Sequence, residues 1–82
     1  MKVLFFASLR ETMGCSEMVL TSDQPETVKA LMAQIFLPDG QSLASYAETE
    51  SLLLAVNQQM VDRDAPLNAN DEVAFFPPVT GG

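Results

Sequence analysis

Asp71-Glu72-Val73-Ala74-Phe75-Phe76-Pro77-Pro78-Val79-Thr80-Gly81-Gly82 closes the chain, and this stretch governs how the rest is read. Glu72 to Phe76 is rich in β-forming residues and reads as a strand. Pro77 ends it, because a proline has no N–H to give to a central ladder. Pro77-Pro78 fixes φ and favours an extended path. From Pro77 onward the chain is expected to leave the folded body as a tail that reaches roughly 20 Å. Gly81 and Gly82 carry no side chain, so this thread can enter a channel that any Cβ would block. Two terminal glycines alone say little, since termini fray. Behind a strand and a rigid Pro-Pro they say more. The expectation is that the carboxylate of Gly82 is the working group, threaded on Val79, Thr80 and Gly81 into another protein's active site.

The composition narrows what the body can be. Eighty-two residues make one small domain. With 48% hydrophobic and 18% charged residues, the chain has the makings of a core and is no disordered segment. Eleven acidic residues against four basic ones leave a net charge of -7. That excludes nucleic acid, where phosphate contacts need Lys and Arg, and disfavours anionic membrane surfaces. A basic protein partner fits better, although the acidity also serves solubility alone. Histidine is absent, which removes the commonest general base and metal ligand. The single cysteine, Cys15, allows no internal disulfide and has no histidine to activate it. It reads as incidental. The first nine residues imitate a signal sequence leading to Cys15, but Arg10 and Glu11 interrupt it, so they read as a buried strand. No segment is long enough to span a bilayer. The expected location is the cytoplasm.

Along the chain, Val3 to Ala7 reads as a core strand, Ser8 to Gly14 as a turn with some helical character, and Glu17 to Leu20 as a second strand. Thr21 to Pro25 reads as a loop and helix start. Val28, Leu31, Met32, Ile35 and Phe36 then repeat at i, i+3, i+4, i+7 and i+8, one complete apolar helix face. Pro38-Asp39-Gly40 stops that helix. Residues 41–51 are polar and ambiguous, with room for a helical turn from Leu43 to Glu48. Leu52 to Val56 and Gln59 to Val61 read as two strands joined at Asn57-Gln58. The order β-β-α-β-β-β is an α+β domain, residues 1–77, followed by a tail, residues 78–82. One main helix covers one face of a sheet, yet the strands are apolar on both. Val3, Phe5 and Ala7 alternate with Leu4 and Phe6, Leu52 and Leu54 with Leu53 and Ala55, and Val73 and Phe75 with Ala74 and Phe76. A sheet wetted on one side should alternate apolar and polar. The pattern predicts a bare apolar face, the mark of a protein partner, unless loops cover it.

The chain is poor in catalytic groups. It has no Cys-His pair, no zinc-protease signature and no phosphate-binding glycine loop, and no metal site is expected. Its carboxylates are scattered along loops and strand ends. It reads as a protein handled by enzymes.

The segments Met1 to Ala7 with Leu9-Arg10-Glu11, Thr27 to Leu31, Leu53 to Gln58 and Asp71 to Gly82 closely resemble the family of small, sulfur-carrier subunits of molybdopterin synthase. The likeness spans nearly the whole chain in order. Many family members have glycine before the Asp-Glu-Val, where this chain has Asn70, a residue that also tolerates a left-handed turn. The resemblance implies a ubiquitin-like β-grasp fold, a mixed sheet of four to five strands on one main helix with a protruding tail. It implies no bound cofactor, and ATP used by a separate ubiquitin-activating-like enzyme that adenylates Gly82. Sulfur transfer then makes a thiocarboxylate, and the tail enters the large catalytic subunit to donate sulfur to the cyclic pyranopterin precursor. It also implies that Phe76, Pro77, Arg10 and Phe6 dock the partner. The alternatives are a sulfur carrier of thiamin or another pathway, a ubiquitin-like modifier of lysines, and an interaction domain with an idle tail.

Overall fold

In the computed structural model, the chain's first and last strands lie side by side. Residues 1–20 and 25–78 are described. The expectations placed on Val79 to Gly82, and on the loop Thr21 to Gln24, lie outside them. Strand β1 (Lys2–Phe5) pairs in parallel with β5 (Glu72–Phe76), with Val3 opposite Val73 and Phe5 opposite Phe75. On one side β2 (Glu17–Val19) joins β1 antiparallel. On the other, β3 (Leu53–Val56) joins β5 antiparallel, and β4 (Gln59–Val61) closes a hairpin with β3. The order β2-β1-β5-β3-β4 is a five-stranded mixed sheet, the β-grasp arrangement that the sequence resemblance implies.

A parallel pair cannot be joined by a hairpin. The chain between β1 and β5 must therefore cross over, and it does so with helices. Those described are α1 (Ala7–Met13), α2 (Val28–Gln34) and α3 (Leu43–Thr49). Leu9 and Met13, Val28, Leu31 and Met32, and Leu43 and Ala47 enter one cluster with Val3, Phe5, Leu54, Val73 and Phe75. The rings of Phe5 and Phe75 stack at its centre, 6.2 Å apart and 20° from parallel.

Two helices lie where the sequence offers only turn signals. Helix α1 begins one residue past β1, so Ala7 belongs to it and not to the strand. It ends at Gly14, whose left-handed φ of 81° lets its N–H donate to Arg10 O. Helix α3 occupies the polar stretch. The Ser42 hydroxyl caps it by accepting from Ser45 N–H at 3.1 Å.

Helix α2 starts as its pattern predicts but stops at Gln34. Thr27 Oγ1 accepts from Ala30 N–H, while the carbonyls of Ala65 and Arg63 accept from Val28 and Lys29 N–H at 3.1 and 2.9 Å. The loop after β4 thus satisfies the helix's free first-turn donors. At the other end Ile35 is extended, with φ -104° and ψ 131°. Its carbonyl accepts from Leu43 N–H at 2.7 Å, and Leu37 N–H donates to Gln41 O at 2.8 Å. Ile35 and Leu37 point into the core, and Phe36 between them is 60% exposed. The period has become two, so Phe36 is not on the helix face. Pro38 contributes, because it biases Leu37 away from helical geometry.

Asn57 and Gln58 turn β3 into β4 with φ of 50° and 70°. Asn57 also ties this turn to the start of β5. Its N–H donates to Glu72 O at 2.8 Å, its Oδ1 accepts from Glu72 N–H at 3.0 Å, and its Nδ2 donates to Asp71 Oδ1 at 2.9 Å. Asn68 N–H donates to the other Asp71 oxygen at 2.7 Å. Asn70 is not among the residues with positive φ, so the left-handed turn that glycine would favour there is not used.

Two predictions follow from this corner. A left-handed Gln58 is strained where glycine is not, so Gln58→Gly should stabilise the fold by about 0.5–1 kcal/mol. Urea unfolding of the two proteins measures it. The hydrogen bonds from Asn68 N–H, and secondarily from Asn57, hold the Asp71 carboxyl below its ordinary pKa. A depressed carboxyl stabilises the fold above its unfolded value, about 3.9, and loses that stabilisation as pH falls through its folded value. Asp71→Asn should therefore remove part of the stability loss below pH ~4, read from urea midpoints against pH.

Candidate functional site: the bare sheet face and the root of the tail

Alternation along the strands sends every second side chain away from the helices. Leu4, Ala74, Ala55 and Met60 form one row across β1, β5, β3 and β4, and Phe76 faces Leu53 in the next. The core draws on all three helices, and none of these residues except the buried Ala55 is fully covered. Met60 is 59% exposed and Phe6 46%. The expected bare apolar face is present among the described residues. At its β2 edge Val19 is also exposed, beside a surface ion pair between Lys2 and Glu17 at 3.4 Å. Such an exposed pair adds little to stability.

Four residues singled out by resemblance fall around one end of this face. The Phe6 and Phe76 rings meet edge to face, 6.3 Å apart at 84°. Phe6 N–H donates to Phe75 O at 3.2 Å, which carries the β1–β5 ladder one step past the strand. Pro77, half-buried, follows Phe76, and Pro78 is exposed. Arg10 is exposed on α1, its N–H donating to Phe6 O. The chain therefore departs toward Gly82 from the same corner that carries Phe6 and Phe76. Among the described residues no three Cys, Asp or Glu side chains come together as a metal site would require.

The local backbone explains how Phe6 stays on the outer face while Leu9, one turn later, is buried. Ala7 turns the chain with φ of 54°, a left-handed value that is costly for a residue with a Cβ. No turn residue announces this in the sequence.

On the other side of Pro77 lies a groove of about 570 Å³. Ser8 and Thr12 of α1, Tyr46 and Thr49 of α3, Glu50 and Leu52 line it with the two prolines. Sequence reading missed it, since α3 itself was ambiguous. Its one signal was the run of hydroxyls between Ser42 and Ser51.

A mixed five-stranded β-grasp sheet with helices on one face and an apolar face on the other defines a ubiquitin-like fold. The ThiS family model matches residues 3–82, and the chain belongs to that family. It is 49% identical to the molybdopterin synthase sulfur carrier subunit of Escherichia coli, over 99% of this chain and 98% of that protein. It is 39% identical to the protein of the same name from Haemophilus influenzae, over 100% and 99%. Among solved structures it is similar to the small archaeal modifier protein 1 of Haloferax volcanii, with a TM-score of 0.62 and 25% identity over 95% of each chain.

Because only backbone strain is relieved, Ala7→Gly should keep the fold and raise its stability by roughly 0.5–1 kcal/mol. Thermal unfolding with a two-dimensional amide spectrum checks both halves.

Proposed function

We propose that this chain is a sulfur carrier for molybdenum cofactor biosynthesis, a non-catalytic subunit that acts with a larger catalytic one. One observation carries the reading. In a chain so similar to named sulfur carrier subunits, the last strand runs from the bare apolar face directly into the tail. Docking on the face and insertion of the tail are then a single event, with Phe6, Phe76, Pro77 and Arg10 at the corner they share.

The chemistry sits on Gly82. Its carboxylate is ionised at neutral pH and is a poor electrophile. A separate ATP-dependent enzyme adenylates it, which supplies a leaving group. A sulfide-level sulfur nucleophile attacks the acyl carbon, AMP leaves, and the product is a thiocarboxylate, a softer nucleophile in the manner of an activated thiol. The tail, with Val79, Thr80 and Gly81 as its thread, enters the large subunit. There the sulfur attacks the cyclic pyranopterin precursor. The acids and bases that assist belong to the partners, which suits a chain without histidine. No cofactor is held by this chain in the reading, and the cytoplasm is its place of work. The likeness to an archaeal modifier protein favours a second reading, attachment of Gly82 to lysines, which predicts higher-mass conjugates in cell extracts.

Deleting Gly82, or extending the chain beyond it, should abolish molybdopterin formation in a reconstituted synthase while the amide spectrum of the body is unchanged. Normal product from either variant would refute the proposal. Phe76→Ala, which removes one ring of the Phe6–Phe76 pair, should weaken the complex with the large subunit about tenfold or more. Isothermal calorimetry reads this directly.

A further inference from the structure

The groove beside the tail's root has a chemistry of its own. Thr12 Oγ1 donates to Ser8 O at 3.1 Å, and Thr49 Oγ1 donates to Tyr46 O at 3.2 Å. A hydroxyl has one proton to give, so both oxygens have spent theirs and keep only acceptor lone pairs. The one charged residue in the lining is Glu50, an acceptor too. Leu52, Pro77 and Tyr46 in the lining are half-buried. The hydroxyls of Ser8, Ser51 and Tyr46 donate or accept as a ligand requires, so the groove's one fixed charge, Glu50, sets its preference. With apolar Leu52 and Pro77 in its lining, the groove fits a long cationic side chain. Its stem packs on Leu52 and Pro77, and its head donates to Glu50 and the threonine oxygens.

Position says where that side chain comes from. Pro77 and Pro78 are one wall of the groove, and Phe76 on the other side of the same ridge belongs to the bare face. Gly82 is the fourth residue after Pro78, a reach of about 14 Å. A channel that takes in Gly82 must have its mouth close to Pro78. The rim of that mouth meets the protein on both sides of the tail.

We propose that the groove of Ser8, Thr12, Tyr46, Thr49 and Glu50 receives a basic, Arg- or Lys-bearing segment from the mouth of the large subunit. That segment clasps the root of the tail opposite the apolar face. This rests on the sulfur-carrier reading and adds to it a second, polar contact. The net charge of -7 acts in the same direction, drawing a cationic rim toward the tail.

The test uses the full chain and the purified large subunit of molybdopterin synthase. Their dissociation constant is measured at low and high salt for wild type, Glu50→Lys, Thr49→Arg and Phe76→Ala. Glu50 and Thr49 are exposed, and Glu50 contributes to the end of α3 only through its backbone N–H. Glu50→Lys and Thr49→Arg should each weaken binding about tenfold at low salt and flatten its salt dependence. If Glu50→Lys lowers the thermal midpoint, Glu50→Gln replaces it, with a smaller loss of the same kind expected. In the wild-type complex, the amide signals of Ser8, Thr12, Thr49 and Ser51 should shift. Affinities within twofold of wild type, with those signals unmoved, would overturn the clasp. If Phe76→Ala still bound weakly, the sulfur-carrier reading would survive that result. If Phe76→Ala also left affinity unchanged, both would fall.

Discussion

The parallel pairing of β1 with β5 is the constraint on which the rest of the structure depends. It sets Val3 against Val73 and Phe5 against Phe75, four side chains buried to within 1% of complete. Because parallel neighbours need a crossover, the chain between them passes over one face as helices, and that becomes the helical face. The other face is left without a helix. The same pairing puts Phe6 beside Phe76, so the tail starts from an aromatic corner. Removing the Phe75 ring would open a cavity at the centre of this arrangement, a loss of about 3–5 kcal/mol in cores of this kind. For a domain this small that is a large share of its stability.

Much of this was legible in the sequence, and for identifiable reasons. The strands announce themselves as β-rich runs ended by turns or prolines, and their apolar residues on both faces foretell the bare surface. The first two turns of α2 follow from Val28, Leu31 and Met32. What misled was coincidence of period. Ile35 and Phe36 continue the helical spacing, but an extended backbone also buries Ile35 and Leu37, and it exposes Phe36. Sequence periodicity cannot separate these until the hydrogen bonds from Leu43 and Leu37 N–H are known.

Other features were hidden because they rest on backbone choices that residue identity does not force. Ala7 and Gln58 take left-handed angles that their types disfavour, while Asn70, which tolerates them, does not. Helix α1 has two buried residues and no side-chain cap, too little signal for a confident boundary. The groove at the tail's root needs α1, α3 and Pro77 together, and only the tertiary fold supplies that. The residues picked by resemblance lie close together in the fold. Phe6, Phe76 and Pro77 meet at one corner, and Arg10 stands on the helix that leaves it.

The molecule divides labour along its length. In the proposed reading the sheet supplies recognition, and the residues that follow its central strand carry the reactive group at Gly82. The mass of the intact protein, purified from cells with an active cofactor pathway, measures this most directly. The account predicts a fraction heavier by the exchange of one oxygen for one sulfur, with the increment confined to the C-terminal peptide. A chain that carries no such increment, or carries it on Cys15, would contradict it.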